Sequence, residues 1–174
     1  AAEEAVDYAR EQVAKLIGAD PKEIIFTSGA TEGDNLAIKG VFDMYASKGN
    51  HIITANTEHK AVLDTCKHIE KEGGEVTYLD VKEDGRIDLA ELEAAIKPTT
   101  ILIAIMYANN EIGTMIDLAR VSGLCLQYGA LFHSDTVQTA GHFPINVQET
   151  PVNFLSGAAH KFHGPKGVGF IYIN

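Results

Sequence analysis

The sequence predicts a three-layer α/β/α domain in which a mainly parallel sheet is sandwiched by helices. Strand-like segments alternate along the chain with segments that repeat apolar residues at helical spacing. Such alternation favours parallel strands joined by helical crossovers. The apolar run at 101–106 (ILIAIM) suits a central strand buried on both faces, which is typical of parallel sheets.

Each predicted element follows from local signals. The first helix repeats Val6, Val13 and Ile17 on one face and ends at Gly18, a residue that readily closes a helix. Further helices are predicted at residues 32–46, 60–72, 88–97 and 117–128. Strands are predicted at residues 23–27, 51–55, 75–81, 101–107, 130–133, 152–155 and 168–173.

Composition excludes several classes of protein. The 174 residues suggest one domain, and we expect them to be a piece of a longer protein. A formal net charge of −10, without a Lys/Arg cluster, disfavours nucleic acid or an anionic membrane as partner. Cys66 and Cys125 make no disulfide framework, and neither a signal peptide nor a bilayer-length apolar run is present. We therefore expect a cytoplasmic protein.

Polar side chains cluster where the predicted strands end. In open α/β sheets, ligands bind outside the carboxyl ends of the strands. These ends carry residues 28–31, His59, Asn109, Asn110, Ser134, Asp135, Gln138, His160 and Lys161. The opposite strand ends carry plainer residues. A lysine, an acid, two histidines and several amides on one rim favour binding of a polar, charged ring.

The loop at 28–31 (SGAT) joins a strand to a helix and contains small residues. Free backbone N–H groups and the positive end of the helix dipole make such a loop suitable for a phosphate. It lacks the lysine of a P-loop and the spacing of a dinucleotide fingerprint. Residues 31–34 also match a capping box, so ordinary helix capping explains the same letters equally well.

Two patterns imitate metal sites. Residues 80–91 resemble a calcium loop, but Lys82 occupies the place of an oxygen ligand, and a strand precedes it where a helix is needed. His160 and His163 have H-x-x-H spacing without the further ligands that a metal site requires. We expect a turn at 80–91 and no metal site.

Five blocks of sequence carry a family resemblance. They are 26–40 (FTSGATEGDNLAIKG), 56–66 (NTEHKAVLDTC), 109–114 (NNEIGT), 133–141 (HSDTVQTAG) and 159–173 (AHKFHGPKGVGFIYI). In this order they resemble the signatures of NifS/IscS-type cysteine desulfurases, which are class-V aminotransferase-like enzymes using pyridoxal 5'-phosphate. The resemblance covers nearly the whole chain. It implies a fold type I transferase-like large domain at residues 1–174, with an N-terminal segment and a small C-terminal domain elsewhere in the full enzyme.

The resemblance also implies roles for individual residues. Lys161 would hold the cofactor as an imine, and Asp135 would pair with its ring nitrogen. His59 would stack on the ring and transfer a proton, so Lys161 and His59 are the expected catalytic residues. The remaining expected contacts are Gln138 at the phenolic oxygen, Asn110 near that oxygen and the substrate carboxylate, and Ala30, Thr31 and His160 at the phosphate.

The chain departs from the family pattern at two positions. Ala158 occupies the place of a serine that donates to the phosphate, which predicts weaker phosphate binding unless an amide freed by Gly157 compensates. Thr136 replaces an alanine and is expected to crowd the ring. Neither Cys66 nor Cys125 matches the catalytic cysteine, which in the family lies beyond the last strand, and both are expected to be buried.

These implications define the expected function. The full enzyme would convert L-cysteine to L-alanine and pass sulfur, as a persulfide, to an iron–sulfur scaffold or thiolation protein, and it would act as a homodimer. Two alternatives remain open at this point. One is another pyridoxal-phosphate enzyme of the same fold, such as a selenocysteine lyase or an aminotransferase. The other is a non-catalytic α/β module.

Overall fold

The structure is a computed structural model and describes residues 2–174. Within these residues there are five α-helices and seven strands, which alternate for most of the chain until the last three strands follow one another without an α-helix. The helices are α1 (Ala2–Ile17), α2 (Ala30–Met44), α3 (Lys60–Lys71), α4 (Leu89–Ala95) and α5 (Leu118–Tyr128). The strands are β1 (Ile24–Thr27), β2 (His51–Ala55), β3 (Glu75–Leu79), β4 (Thr100–Ala104), β5 (Leu131–Asp135), β6 (Phe154–Ala158) and β7 (Gly169–Ile173). Short 3-10 helices occupy Pro21–Glu23 and Ala159–Lys161.

All seven strands form one sheet in the order β1-β7-β6-β5-β4-β2-β3. Strands β3, β2, β4, β5 and β6 are mutually parallel, and β7 runs antiparallel to both of its neighbours, β6 and β1. Six strands therefore point the same way, and their carboxyl ends share one rim of the sheet.

Helices cover both faces of this sheet. One core combines apolar residues of α1, α4 and α5 with strand residues such as Ile103 and Phe132. The second core combines α2 and α3 with Ile52 and Leu102. Alternate residues of a strand point to opposite faces, so β4 contributes to both cores and is completely buried. The predicted three-layer α/β/α class is confirmed.

Local capping explains where several helices begin and end. Asp88 accepts a hydrogen bond from the Ala90 amide at 2.8 Å, and Asp117 accepts one from the Arg120 amide at 3.1 Å, so each carboxylate satisfies a first-turn donor. Gly129 adopts a left-handed conformation (φ 70°) immediately after α5.

Some predicted boundaries were wrong. Strand β6 covers Phe154–Ala158 instead of 152–155, and β5 reaches Asp135 instead of ending at 133. Their small or polar residues resemble a loop in sequence, but they are buried by pairing with neighbouring strands. Strands β3 and β4 end two or three residues earlier than predicted.

Residues 31–34 do not form a capping box. Helix α2 already begins at Ala30, with Gly29 as its N-cap and no capping side chain. Glu32 instead accepts hydrogen bonds from the amide and the hydroxyl of Ser28 at 2.7 and 2.8 Å. Asp34 points into the protein and is fully buried.

The calcium-like segment forms a turn, as expected. The Gly85 amide donates to the Lys82 carbonyl at 2.7 Å, and Val81 pairs with Ile87 across the turn. The Lys82 ammonium forms an ion pair with Asp88 at 2.7 Å. Within residues 2–174, no group of three or more His, Cys, Asp or Glu side chains is arranged to hold a metal ion. In that same range, every helix is too short or too polar to cross a membrane.

Candidate functional site

A cavity of about 500 Å³ opens at the shared rim of the sheet. Its wall is built from the segments that follow the carboxyl ends of β1, β2, β4, β5 and β6. The lining residues are Ser28, Gly29, Ala30, Thr31, His59, Met106, Asn110, Asp135, Val137, Gln138, Ala158, His160, Lys161, Lys166 and Gly167. Every residue to which the sequence assigned a site role is in this set, although the roles themselves remain predictions.

Not all the polar residues at the strand ends reach the cavity. Asn109 is buried and organises its loop, donating to the Thr57 carbonyl at 2.8 Å and accepting from the Glu111 amide at 2.8 Å. Ser134 donates to the Ile105 carbonyl at 2.8 Å. Both therefore hold the rim together without lining the cavity.

The loop between β1 and α2 forms one end of the cavity. The first amides of a helix lack intrahelical acceptors, so those of Ala30 and Thr31 are available to a ligand. A Cβ built on Gly29 would meet no atom within 4 Å, which leaves open space directly beside the backbone. Gly169 packs on the other side, where its own Cβ would lie 2.6 Å from the Gly29 Cα. The loop is thus backed by β7 and open towards the cavity.

Asp135 occupies the end of β5 and is only 5% exposed. One carboxylate oxygen accepts a hydrogen bond from the Val137 amide at 2.8 Å. Burial, followed by the negative charge of Asp34, raises the pKa of Asp135 to about 7, although the Val137 hydrogen bond opposes this change. The acid therefore lies in a cavity wall without a hydrogen-bonded cation of its own.

Lys161 ends the 3-10 helix that follows β6. Its side chain is exposed, and within residues 2–174 its amine takes part in no ion pair or hydrogen bond. The backbone is held in place, because His142 Nε2 donates to the Lys161 carbonyl at 2.7 Å. The amine is therefore free to react while its attachment point is fixed.

His59 both lines the cavity and caps α3. Its Nδ1 accepts a hydrogen bond from the Ala61 amide at 3.1 Å. That bond requires a lone pair on Nδ1, so the neutral ring carries its proton on Nε2. Capping α3 and lining the cavity are therefore compatible in this one side chain.

Two neighbouring residues, Thr136 and Gly157, lie outside the cavity wall. Thr136 does not crowd the cavity, because it is fully buried and its hydroxyl donates to the Ser156 carbonyl at 2.7 Å. Gly157 also lies outside the cavity wall, and its missing side chain makes room for the Phe170 ring, which a Cβ would approach to 2.3 Å. Ala158 does line the cavity, as its alignment with the family's serine implied.

Sequence reasoning gave no role to three residues beside the site. Lys166 lines the cavity but resembles any surface lysine in the sequence. Asp34 and His133 form a buried pair, with His133 Nε2 2.9 Å from Asp34 Oδ1. The sequence did contain a signal for His133. It lies two residues before Asp135 on one strand, and residues two apart on a strand share a face.

Known proteins with similar sequences provide an independent comparison. A model of the class-V aminotransferase family matches residues 1–174. Cysteine desulfurase IscS of Histophilus somni (strain 2336) is 56% identical over 172 residues, which make up 99% of this chain and 43% of that protein. The enzyme of the same name from Proteus mirabilis (strain HI4320) is 57% identical with the same coverage. The chain thus spans less than half the length of these curated relatives.

Solved structures agree with the sequence comparison. SspA in complex with cysteine superposes with a TM-score of 0.95 at 41% identity, covering 99% of this chain and 50% of that one. A NifS-like protein superposes with a TM-score of 0.93 at 43% identity, covering 97% and 47%. Because the family model matches all of residues 1–174, this chain belongs to the class-V aminotransferase family. The proteins similar to it include cysteine desulfurases.

Proposed function

We propose that residues 1–174 are the pyridoxal-phosphate-binding large domain of a cysteine desulfurase. The observation that carries this proposal is the meeting of Lys161 and Asp135, 26 positions apart in sequence, in the wall of one cavity that also contains an open helix N-terminus. An amine, an acid and a set of free amides match the aldehyde, the ring nitrogen and the phosphate of the cofactor.

The donor set fits this group in two further respects. The open space at Gly29 admits a phosphate close to the amides of Ala30 and Thr31, with His160 lining the same cavity. A protonated ring nitrogen beside Asp135 would favour the ionised acid, because an opposite charge lowers the pKa of a carboxyl group. Gln138 and Asn110 supply amide groups for the phenolic oxygen and the substrate carboxylate.

When bound, the cofactor supplies an electron sink for cleavage of bonds at the substrate Cα. The chain's own residues bind, orient and transfer protons. Lys161 would hold the cofactor through its amine. Asp135 would hold a proton on the ring nitrogen. His59 would face the cofactor ring and hold a proton at Nε2, while its capping bond at Nδ1 fixes the imidazole.

The longer protein would complete the reaction. Relatives named cysteine desulfurase support L-cysteine as the substrate, and we infer that sulfur passes to an iron–sulfur scaffold or thiolation protein and that the full enzyme is a homodimer. The two unpaired, buried thiols are compatible with a reducing compartment such as the cytoplasm.

The first prediction concerns Lys161. The chain mixed with pyridoxal 5'-phosphate should gain visible absorption from the lysine-bound cofactor, and borohydride reduction followed by peptide mass spectrometry should locate the adduct on Lys161. Lys161→Ala should abolish both signals. Lys166→Ala is the matched control, because it removes a second amine from the same cavity and should leave the adduct on Lys161. An adduct on Lys166, or undiminished absorption in Lys161→Ala, would refute the assignment.

A further inference from the structure

A buried polar network lies beneath Asp135, on the sheet face covered by α2. His133 of β5 places Nε2 2.9 Å from Oδ1 of Asp34 on α2. The Ser156 hydroxyl of β6 donates to the same oxygen at 2.6 Å. All three side chains are at most 1% exposed, so water does not screen their charges from nearby groups.

This network leaves two polar atoms without partners. Asp34 Oδ2 and His133 Nδ1 are both buried and form no hydrogen bond with any group in residues 2–174. Buried polar atoms are nearly always paired, so an exception calls for an explanation such as a catalytic or electrostatic role. Ionised Asp34 with neutral His133 carries −1, whereas the same pair with His133 protonated carries 0.

Other titratable groups surround Asp135. On its own strand, His133 lies two residues away on the same face. Asp34 lies on α2, and His59 and Glu58 precede α3. Glu58 is buried, and its two carboxylate oxygens accept hydrogen bonds from the Met106 amide at 2.9 and 3.0 Å. After β6 come His160 and Lys161, and Lys166 lies further along the cavity wall.

The acids dominate the buried side of this environment. Burial and Asp34 raise the pKa of Asp135, whereas His133 lowers it. Burial raises the pKa of Glu58 well above its ordinary value, with further contributions from the negative charges of Asp135 and Asp34. His133 is thus the one buried base among three neighbouring carboxyl groups in the described part of the chain.

We propose that the His133–Asp34 pair sets the pH at which Asp135 ionises, and thereby the pH range in which Asp135 can serve as counter-ion to a protonated ring nitrogen. The identity of that ring rests on the proposed function, but the effect on Asp135 does not. His133 and Asp34 are positioning residues in this scheme, because they act through Asp135 and do not line the cavity.

The test is a titration of the Asp135 carboxyl carbon by NMR in the ligand-free chain, with the resonance assigned by its loss in Asp135→Asn. His133→Gln removes the base that lowers the pKa of Asp135 and should move the midpoint upward. Asp34→Asn removes the negative charge and should move it downward. Each change should be on the order of one pH unit. His68→Gln, an exposed histidine on α3, is the control and should leave the midpoint unchanged.

The opposite signs separate this proposal from a structural role. Loss of packing or hydrogen bonding would disturb both variants in the same direction, and such a result, or unchanged midpoints, would overturn the proposal. If one variant fails to fold, the sign of the other still decides. Thermal unfolding of each variant shows which of them are folded.

A second arm of the experiment tests the ligand. Pyridoxine 5'-phosphate, which has the ring nitrogen but no aldehyde, should drive Asp135 to its ionised form at a pH where Asp135 of the ligand-free chain is protonated. The analogue with carbon in place of the ring nitrogen should not. If the variants shift the midpoint as stated but this pair of ligands behaves identically, the proposed function fails at Asp135 while the role of the His133–Asp34 pair is retained.

Discussion

Ala158 shows how one missing oxygen can limit a binding site. It ends β6, is 2% exposed and lines the cavity between the loop at Gly29 and Lys161. Its methyl group offers no hydrogen-bond donor to an anion, so a phosphate bound here would depend on other donors, such as the amides of α2, Thr31 and His160. A hydrogen bond to a charged group contributes about 1.5–3 kcal/mol. The absence of this hydroxyl is therefore expected to weaken phosphate binding substantially.

We predict that Ala158→Ser tightens binding of pyridoxal 5'-phosphate by between about tenfold and a hundredfold, because it restores one charged hydrogen bond. A cofactor titration followed by visible absorption measures the change. Ala159→Ser is the matched control, since Ala159 is adjacent but outside the cavity wall, and its affinity should equal that of the parent chain. Unchanged affinity in Ala158→Ser would show that backbone amides already satisfy the phosphate.

The residues of the candidate site were largely predictable because the ends of buried strands can be recognised in the sequence. Polar residues such as Asp135 and Lys161 follow apolar runs, and parallel strands bring such ends together. Buried partners were harder to predict. Asp34 resembles a first-turn capping residue, and only the packing of α2 against β5 and β6 reveals that it meets His133 and Ser156. Such contacts join residues about a hundred positions apart, which local patterns do not encode.

At the scale of elements, β6 and β7 pack closely because Gly157 of β6 has no side chain. Gly157 pairs with Phe170 in the antiparallel register of these strands. A Cβ on Gly157 would lie 2.3 Å from Cε1 and 2.6 Å from Cζ of the Phe170 ring, which is itself 2% exposed. The ring fills the place of the missing methyl group, so this part of the core has little room to relax.

Gly157→Ala should lower the free energy of unfolding by about 1–3 kcal/mol, because overpacking forces a buried ring from its position. Urea denaturation measures this. The control is Gly123→Ala in the exposed part of α5, where a Cβ meets no atom within 4 Å. It should raise the free energy of unfolding by about 0.5–1 kcal/mol, since glycine disfavours helices. Two variants of equal stability would contradict this account of the contact.

The identity of most elements was predictable, but the direction of the last strand was not. Alternating strands and helices imply parallel pairing, and the buried run at 101–106 correctly predicted the central β4. The short stretch between Lys161 and Gly169 contains no helix, so β7 has to return antiparallel. Strand β6 was shortened in prediction because Ser156, Gly157 and Ala158 lack the bulky side chains that mark strands.

At the scale of the whole molecule, the sheet separates the two cysteines. Cys66 belongs to the core beneath α2 and α3, and Cys125 to the core beneath α1, α4 and α5. Both thiols are at most 2% exposed, and burial raises the pKa of each to about 12. A thiolate is the reactive form of cysteine, so both residues are chemically inert at neutral pH.

We therefore predict that these 174 residues, incubated with pyridoxal 5'-phosphate and L-cysteine, accumulate no persulfide on Cys66 or Cys125. Mass spectrometry after alkylation measures the persulfide. Polysulfide treatment of the urea-unfolded chain should label both cysteines and serves as the control for detection. A persulfide on either residue of the folded chain would show that a buried thiol reaches the cavity and would revise its role.

The reversal of β7 constrains the length of the segment that precedes it. Only seven residues, 162–168, separate Lys161 from the strand whose first glycine touches Gly29. A parallel return would need a crossover of a dozen residues or more. Lys161 follows β6 and the turn at Gly29 follows β1, so the antiparallel β7 lies between the two strands that carry the amine and the candidate phosphate-binding turn. Extra residues inserted at 162–168 would let the Lys161 amine move away from the turn at Gly29 while every strand keeps its partners. The length of this segment alone would then decide whether the two parts of the site stay together.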